Sequence, residues 1–127
     1  MDLHELRRLF EEWCRSVGGI FRKGRNPVGD EVLLCVRPAR GSFINVQGME
    51  SGIMVSVGLT AARFGVPEDY EIVFSDGSGW IKHRAFMYCG LQINEPDIVA
   101  VVPEEKRIYI GSEKEAPPWA RVEVEEL

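Results

Sequence analysis

The feature that most constrains this chain lies in its first seventeen residues. Leu3, Leu6, Leu9, Phe10, Trp13 and Val17 recur at steps of three and four, the spacing that gathers apolar side chains along one face of an α-helix. A helix is predicted over about residues 2–18. Asp2 is placed to cap its N-terminus, and Glu5, three residues on, completes a variant of the capping box and sets negative charge at the helix's positive end. Arg7 with Glu11, Arg8 with Glu12, and Glu11 with Arg15 stand at i,i+4 and are expected on the solvent side. Gly18-Gly19 then ends the helix, because glycine accepts the left-handed geometry found after a helix's last turn. An apolar stripe of this width needs a dry surface to lie on, and the remainder of the chain has to provide it.

From Glu31 onward the helical period gives way to short apolar runs divided by turn residues, the signature of β structure. Strands are predicted at Glu31–Arg37, Phe43–Gln47, Ile53–Leu59, Glu71–Ser75, Trp80–Tyr88, Ile98–Val102, Arg107–Gly111 and Ala120–Glu125. Asp76-Gly77-Ser78-Gly79 and Pro103-Glu104-Glu105-Lys106 suit tight hairpin turns. Ile20–Gly29 has neither period and reads as a loop. Thr60–Gly65 reads as one helical turn closed by Pro67. The expectation is a single α+β domain spanning 1–127, with the N-terminal amphipathic helix packed on a largely antiparallel β-sheet or partly open barrel and a β-rich core over about 31–125. Ile53–Val57 and Ile98–Val102 have almost no polar alternation, so both of their faces need covering, by the helix or by a second subunit.

Length and composition agree with one ordinary domain: 127 residues, 45% hydrophobic and 28% charged, enough apolar surface to offset the ordering entropy of the chain. No apolar run approaches the roughly 20 residues of a membrane-spanning helix, and the charged start reads as a mature intracellular one. A net charge of −5 argues against a dedicated duplex-DNA binder. The charge is unevenly spread, since residues 1–45 hold eight Lys/Arg against six Asp/Glu and residues 46–127 seven against fourteen. Three cysteines are too few for the disulfide framework of a small secreted domain, which points to the cytoplasm. Eleven Arg to four Lys, with two Gln and three Asn, hint at a hot environment. In that setting a Cys35–Cys89 bridge is the expected disulfide.

The residues hold no pattern of a known reaction or cofactor. Cys14, Cys35 and Cys89 stand alone, His4 and His83 are the only histidines, and neither zinc spacing nor a phosphate-cradling loop is present. Strand alternation sets His83 in a row with Ile81, Ala85 and Met87, where Cys35 or Cys89 with His83 and Asp76 would form a thiol-activating set. The opposite row, Trp80, Lys82, Arg84, Phe86 and Tyr88, interleaves cations with aromatics, the composition that stacks bases and holds phosphates in single-stranded nucleic-acid sites. Arg22, Lys23 and Arg25 would extend that patch or meet the acidic tail of a neighbouring subunit. The pairs Glu104-Glu105 and Glu125-Glu126 read as solvated carboxylates. The leading expectation is a non-enzymatic interaction or assembly module, homodimeric and without cofactor or metal, with a single-stranded nucleic-acid binder and a cysteine-dependent enzyme as the alternatives.

Overall fold

A computed structural model describes residues 2–38, 42–49, 52–58, 60–75, 80–84, 91–94, 96–111 and 124–126, with 75, 80–84, 91 and 124–126 described through their backbone. Helix α1 spans Leu3–Ser16. Asp2 caps it as its residue type dictates, its carboxylate accepting from the Glu5 amide at 2.8 Å. Gly18 follows with φ +79°. The helix buries Leu6, Phe10, Trp13 and Cys14 and leaves Leu3 exposed. Two of the expected surface pairs form, Arg8 with Glu12 at 3.1 Å and Arg15 with Glu11 at 3.0 Å. Arg7 does not pair with Glu11. It reaches off the helix to Glu31 at 2.8 Å, a carboxylate only 12% exposed that also holds Lys23 at 3.3 Å.

Eleven strands follow among the described residues: β1 Ile20–Arg25, β2 Glu31–Val36, β3 Phe43–Met49, β4 Gly52–Val57, β5 Arg63–Val66, β6 Glu71–Ser75, β7 Trp80–Arg84, β8 Leu91–Asn94, β9 Ile98–Val102, β10 Arg107–Gly111 and β11 Val124–Glu126. They divide into a seven-stranded sheet ordered β11-β1-β2-β9-β10-β6-β7 and a four-stranded sheet ordered β5-β4-β3-β8. Neither closes into a barrel. Every pairing is antiparallel except β6 with β10.

Three predicted segments come out differently. Ile20–Gly29 is a strand and a tight turn where a loop was expected, because Ile20–Arg25 pairs residue by residue with Val36–Glu31. Thr60–Gly65 forms no helical turn; Arg63–Val66 instead pairs with Ile53–Ser56 as an edge strand. Leu91–Asn94, assigned no structure from the sequence, borders β3. The Pro103–Lys106 turn joins two antiparallel strands as expected, through a short 3-10 turn that ends with Lys106 in the left-handed region. The expected turn at residues 76–79, and residues 85–88 of the expected Trp80–Tyr88 strand, lie outside the described residues.

One core joins the helix to the inner faces of both sheets, from Phe21, Leu33, Val99, Ile108 and Ile72 to Ile44, Val46, Val55 and Phe64. Its aromatic centre is Phe10, whose ring meets Phe64 edge-on at 5.2 Å and Phe21 at 6.1 Å. Trp13 lies 4.7 Å from Phe64 and donates its indole N–H to the Ala62 carbonyl at 3.3 Å. A second cluster, Val32, Leu34, Val73, Ile98, Ala100, Val102 and Tyr109, occupies the other face of the large sheet. All five residues of β9 are therefore buried within a single chain, and its continuous apolar run needs no second subunit to cover it.

The disulfide also differs from the expected one. Cys14 on α1 is bonded to Cys35 on β2, with Cα atoms 5.6 Å apart, so Cys35 is not available to Cys89, which lies outside the described residues. The physical reason is the helix face: Cys14 stands four residues beyond Phe10 and points at the inner row of β2. Gly19 sits against the bridge, where a Cβ would lie 2.9 Å from the Cys14 sulfur. Among the described residues, no helix is long and apolar enough to cross a membrane.

Candidate functional site

The residues singled out from the sequence do not converge. Arg22, Lys23 and Arg25 are on β1, while Trp80, Lys82 and Arg84 are on β7 at the far end of the same sheet. Five inter-strand steps separate the two strands, about 24 Å along the sheet. Phe86 and Tyr88 lie outside the described residues. A cysteine–histidine pair built on Cys35 is excluded on two grounds: its sulfur is in a disulfide, and β2 and β7 are four steps apart, about 19 Å. His83 instead registers opposite Ile72. Among the described residues, no three His, Cys, Asp or Glu side chains gather as metal ligands.

What the fold does assemble is a charged edge at β1. The hairpin that ends this strand is set by Asn26, which is 6% exposed. Its backbone N–H donates to the Asp30 carbonyl, its side-chain oxygen accepts from the Asp30 amide, and its carbonyl accepts from the Gly29 amide, each at 2.9 Å. Gly29 takes φ +91° to close the turn, and Arg25 donates to its carbonyl at 2.8 Å. On the helix side, Lys23 and Arg7 share Glu31. Arg15 lies over the Phe21 ring at 5.9 Å. The outer flank of β1 is occupied by β11 in the register Arg22↔Glu126, Lys23↔Glu125 and Gly24↔Val124. The acidic end of the chain thus runs beside its most basic strand, and it does so within one molecule.

A second polar network pins the same hairpin to β10. The Asn26 side-chain amide donates to Glu105 at 3.1 Å, and the Tyr109 hydroxyl donates to the other oxygen of that carboxylate at 2.8 Å. Burial, then the neighbouring Glu105 carboxylate, pushes the Tyr109 hydroxyl up to about 12. Glu105 is therefore a structural acceptor and not the freely solvated group its sequence context suggested. Glu104 is displaced as well, its pKa raised by a hydrogen bond to Asp30 and by that group's charge. Beside this network, a groove of about 200 Å³ runs between the start of the helix and Pro67, Tyr70 and Pro103, with Asp2 and Glu104 at its rim. Burial raises the Tyr70 pKa.

The edge was partly visible in the sequence, since the basic strand and the acidic tail both stand out by charge. Their pairing was not, because Arg22-Lys23-Gly24-Arg25 carries no strand alternation. Ile20-Phe21 before the charges and Asn26-Pro27-Val28-Gly29 after them were the available signal of a strand entering a turn. Comparison with family models, with curated proteins and with solved structures found no match.

Proposed function

We propose that this protein is a non-enzymatic interaction module that assembles as a homodimer, with the β1 edge as its contact surface. The observation that carries the reading is the charge-matched register of β1 with β11. Sheet edges present unpaired N–H and C=O groups that take up a further strand, and here the acidic strand Val124–Glu126 is the outer neighbour of β1 among the described residues. The Ile98–Val102 run lends it no support, since β9 is covered on both faces within its own chain.

A cytoplasmic setting in a hot-growing organism belongs to this reading. What supports it is the combination of a buried disulfide with an Arg-rich, amide-poor composition, because intracellular bridges persist in hyperthermophiles. The test is sedimentation of the full chain at micromolar concentration. A mass near twice the 14.3 kDa of one chain is expected, and a monodisperse monomer at every concentration would remove the proposal.

A further inference from the structure

We infer that the outer face of the four-stranded sheet is a binding surface for an uncharged, hydroxyl-rich carbohydrate chain. The protein has five carboxamide side chains in 127 residues, and four of them, Asn45, Gln47, Gln92 and Asn94, stand on this one face. The fifth, Asn26, is buried in the hairpin of the other sheet. Strand alternation makes the face: Ile44, Val46, Ile53, Val55, Phe64 and Ile93 enter the core, and the residues between them point the other way. Register then gathers the polar ones, because Asn45 lies opposite Gln92 on one side and Ser56 on the other, with Arg63 beyond Ser56. Gln47, Gln92, Asn94 and Arg63 are exposed, and Asn45 and Ser56 are half-buried.

The charge of the face selects the ligand. Arg63 is the one charged residue of β3, β4, β5 and β8, in a chain that is 28% charged. A single-stranded nucleic acid needs a track of cations, and a charged peptide needs its opposite; these four strands offer neither. A carboxamide presents a donor group and an acceptor oxygen without charge, the complement of sugar hydroxyls, which both donate and accept. Opposite residues on adjacent strands stand about 5 Å apart, and same-face neighbours along a strand about 7 Å. The four amides thus form a grid that meets hydroxyls on successive sugar rings. Part of that grid is set before a ligand arrives: Gln92 donates to Asn94 at 3.0 Å, and Asn45 to the Gly58 carbonyl at 3.4 Å. Met54 and Gly65, in register beside Gln47, give an apolar strip for the C–H faces of the rings.

The face belongs to the small sheet and the β1 edge to the large one, so its occupation stands or falls apart from the dimer reading. The scarcity of amides supplies the test. In isotope-labelled full-length protein, heteronuclear NMR shows side-chain amide signals from five carboxamides and no more. The protein is titrated with cellohexaose, maltohexaose and mannohexaose, and with oligothymidylate as the charged control. At least one of the sugars is expected to move the signals of Asn45, Gln47, Gln92 and Asn94 while leaving Asn26 in place. Replacing Gln47 and Gln92 together by Ala should weaken that sugar's dissociation constant by about tenfold and leave the thermal midpoint unchanged, since both side chains are exposed. Face signals that none of the sugars moves would overturn the inference, whatever oligothymidylate does. So would shifts spread equally to Asn26, or undiminished affinity in the double variant. Should that variant fail to fold by circular dichroism, the pattern of wild-type shifts decides alone.

Discussion

At the scale of single residues, the two cysteines that the fold pairs are both fully buried, and they close a loop of sequence separation 21. Loop-closure entropy for that length is worth about 3 kcal/mol. Replacing both Cys14 and Cys35 by Ala should lower the unfolding free energy by roughly that amount in urea titrations, and adding reductant to the double variant should change nothing further. Gly19 is tied to the same bridge: Gly19→Ala drives a methyl group into the sulfurs and is expected to cost about 1–3 kcal/mol. Glu104 gives a pH signature. The hydrogen bond that protonated Glu104 donates to the Asp30 carboxylate raises its pKa above the ordinary 4.5, so the folded chain holds this proton more tightly than the unfolded chain does. Its contribution to stability is thus complete below 4.5 and lost as pH rises through the raised value. Glu104→Gln keeps a donor toward Asp30 without the second charge. Its Tm should exceed that of wild type at neutral pH, and the difference should close as the buffer is taken below 4.5.

At the scale of elements, α1 is held by its cap and by its aromatic face. Asp2→Ala frees the Glu5 amide and should cost about 1 kcal/mol. Phe10→Ala removes the ring that Trp13, Phe21 and Phe64 all contact and should cost about 3–5 kcal/mol. Both are readable from the denaturation midpoint at constant slope. The helix was legible in the sequence because its period is local: every residue that defines its face lies within one stretch of seventeen. The strands were legible in proportion to their apolar content. Glu31–Val36 and Ile98–Val102 announce themselves, whereas Arg22-Lys23-Gly24-Arg25 carries no alternation and becomes a strand only because Leu34, Leu33 and Val32 lie alongside it. Arg63–Val66 is an edge strand of four residues whose Gly65 and following Pro67 mimic a turn. Cys14 was legible too, four positions past Phe10 on the same face, yet its partner could not be read from spacing, because bridging depends on which strand the helix crosses.

At the scale of the whole molecule, the strand order places β9 between β2 and β10, with neighbours on both sides and buried residues on both faces, whereas β11 is the end strand of the sheet with β1 as its neighbour. This arrangement comes from pairings such as Leu33 with Val101, remote in sequence, which is why charge and composition marked the basic strand and the acidic tail but not their meeting. It also sets a gradient of local stability. Opening β9 means separating both of its neighbours and both apolar clusters, so its amides should exchange with solvent only through global unfolding. β11 stands at the end of the sheet with β1 as its neighbour, so its amides should exchange through a local event. Hydrogen exchange followed by mass spectrometry is expected to show peptides covering 98–102 as the slowest in the chain and those covering 124–126 faster by about 100-fold or more. Equal protection at both would mean that the C-terminal strand opens only when everything else does.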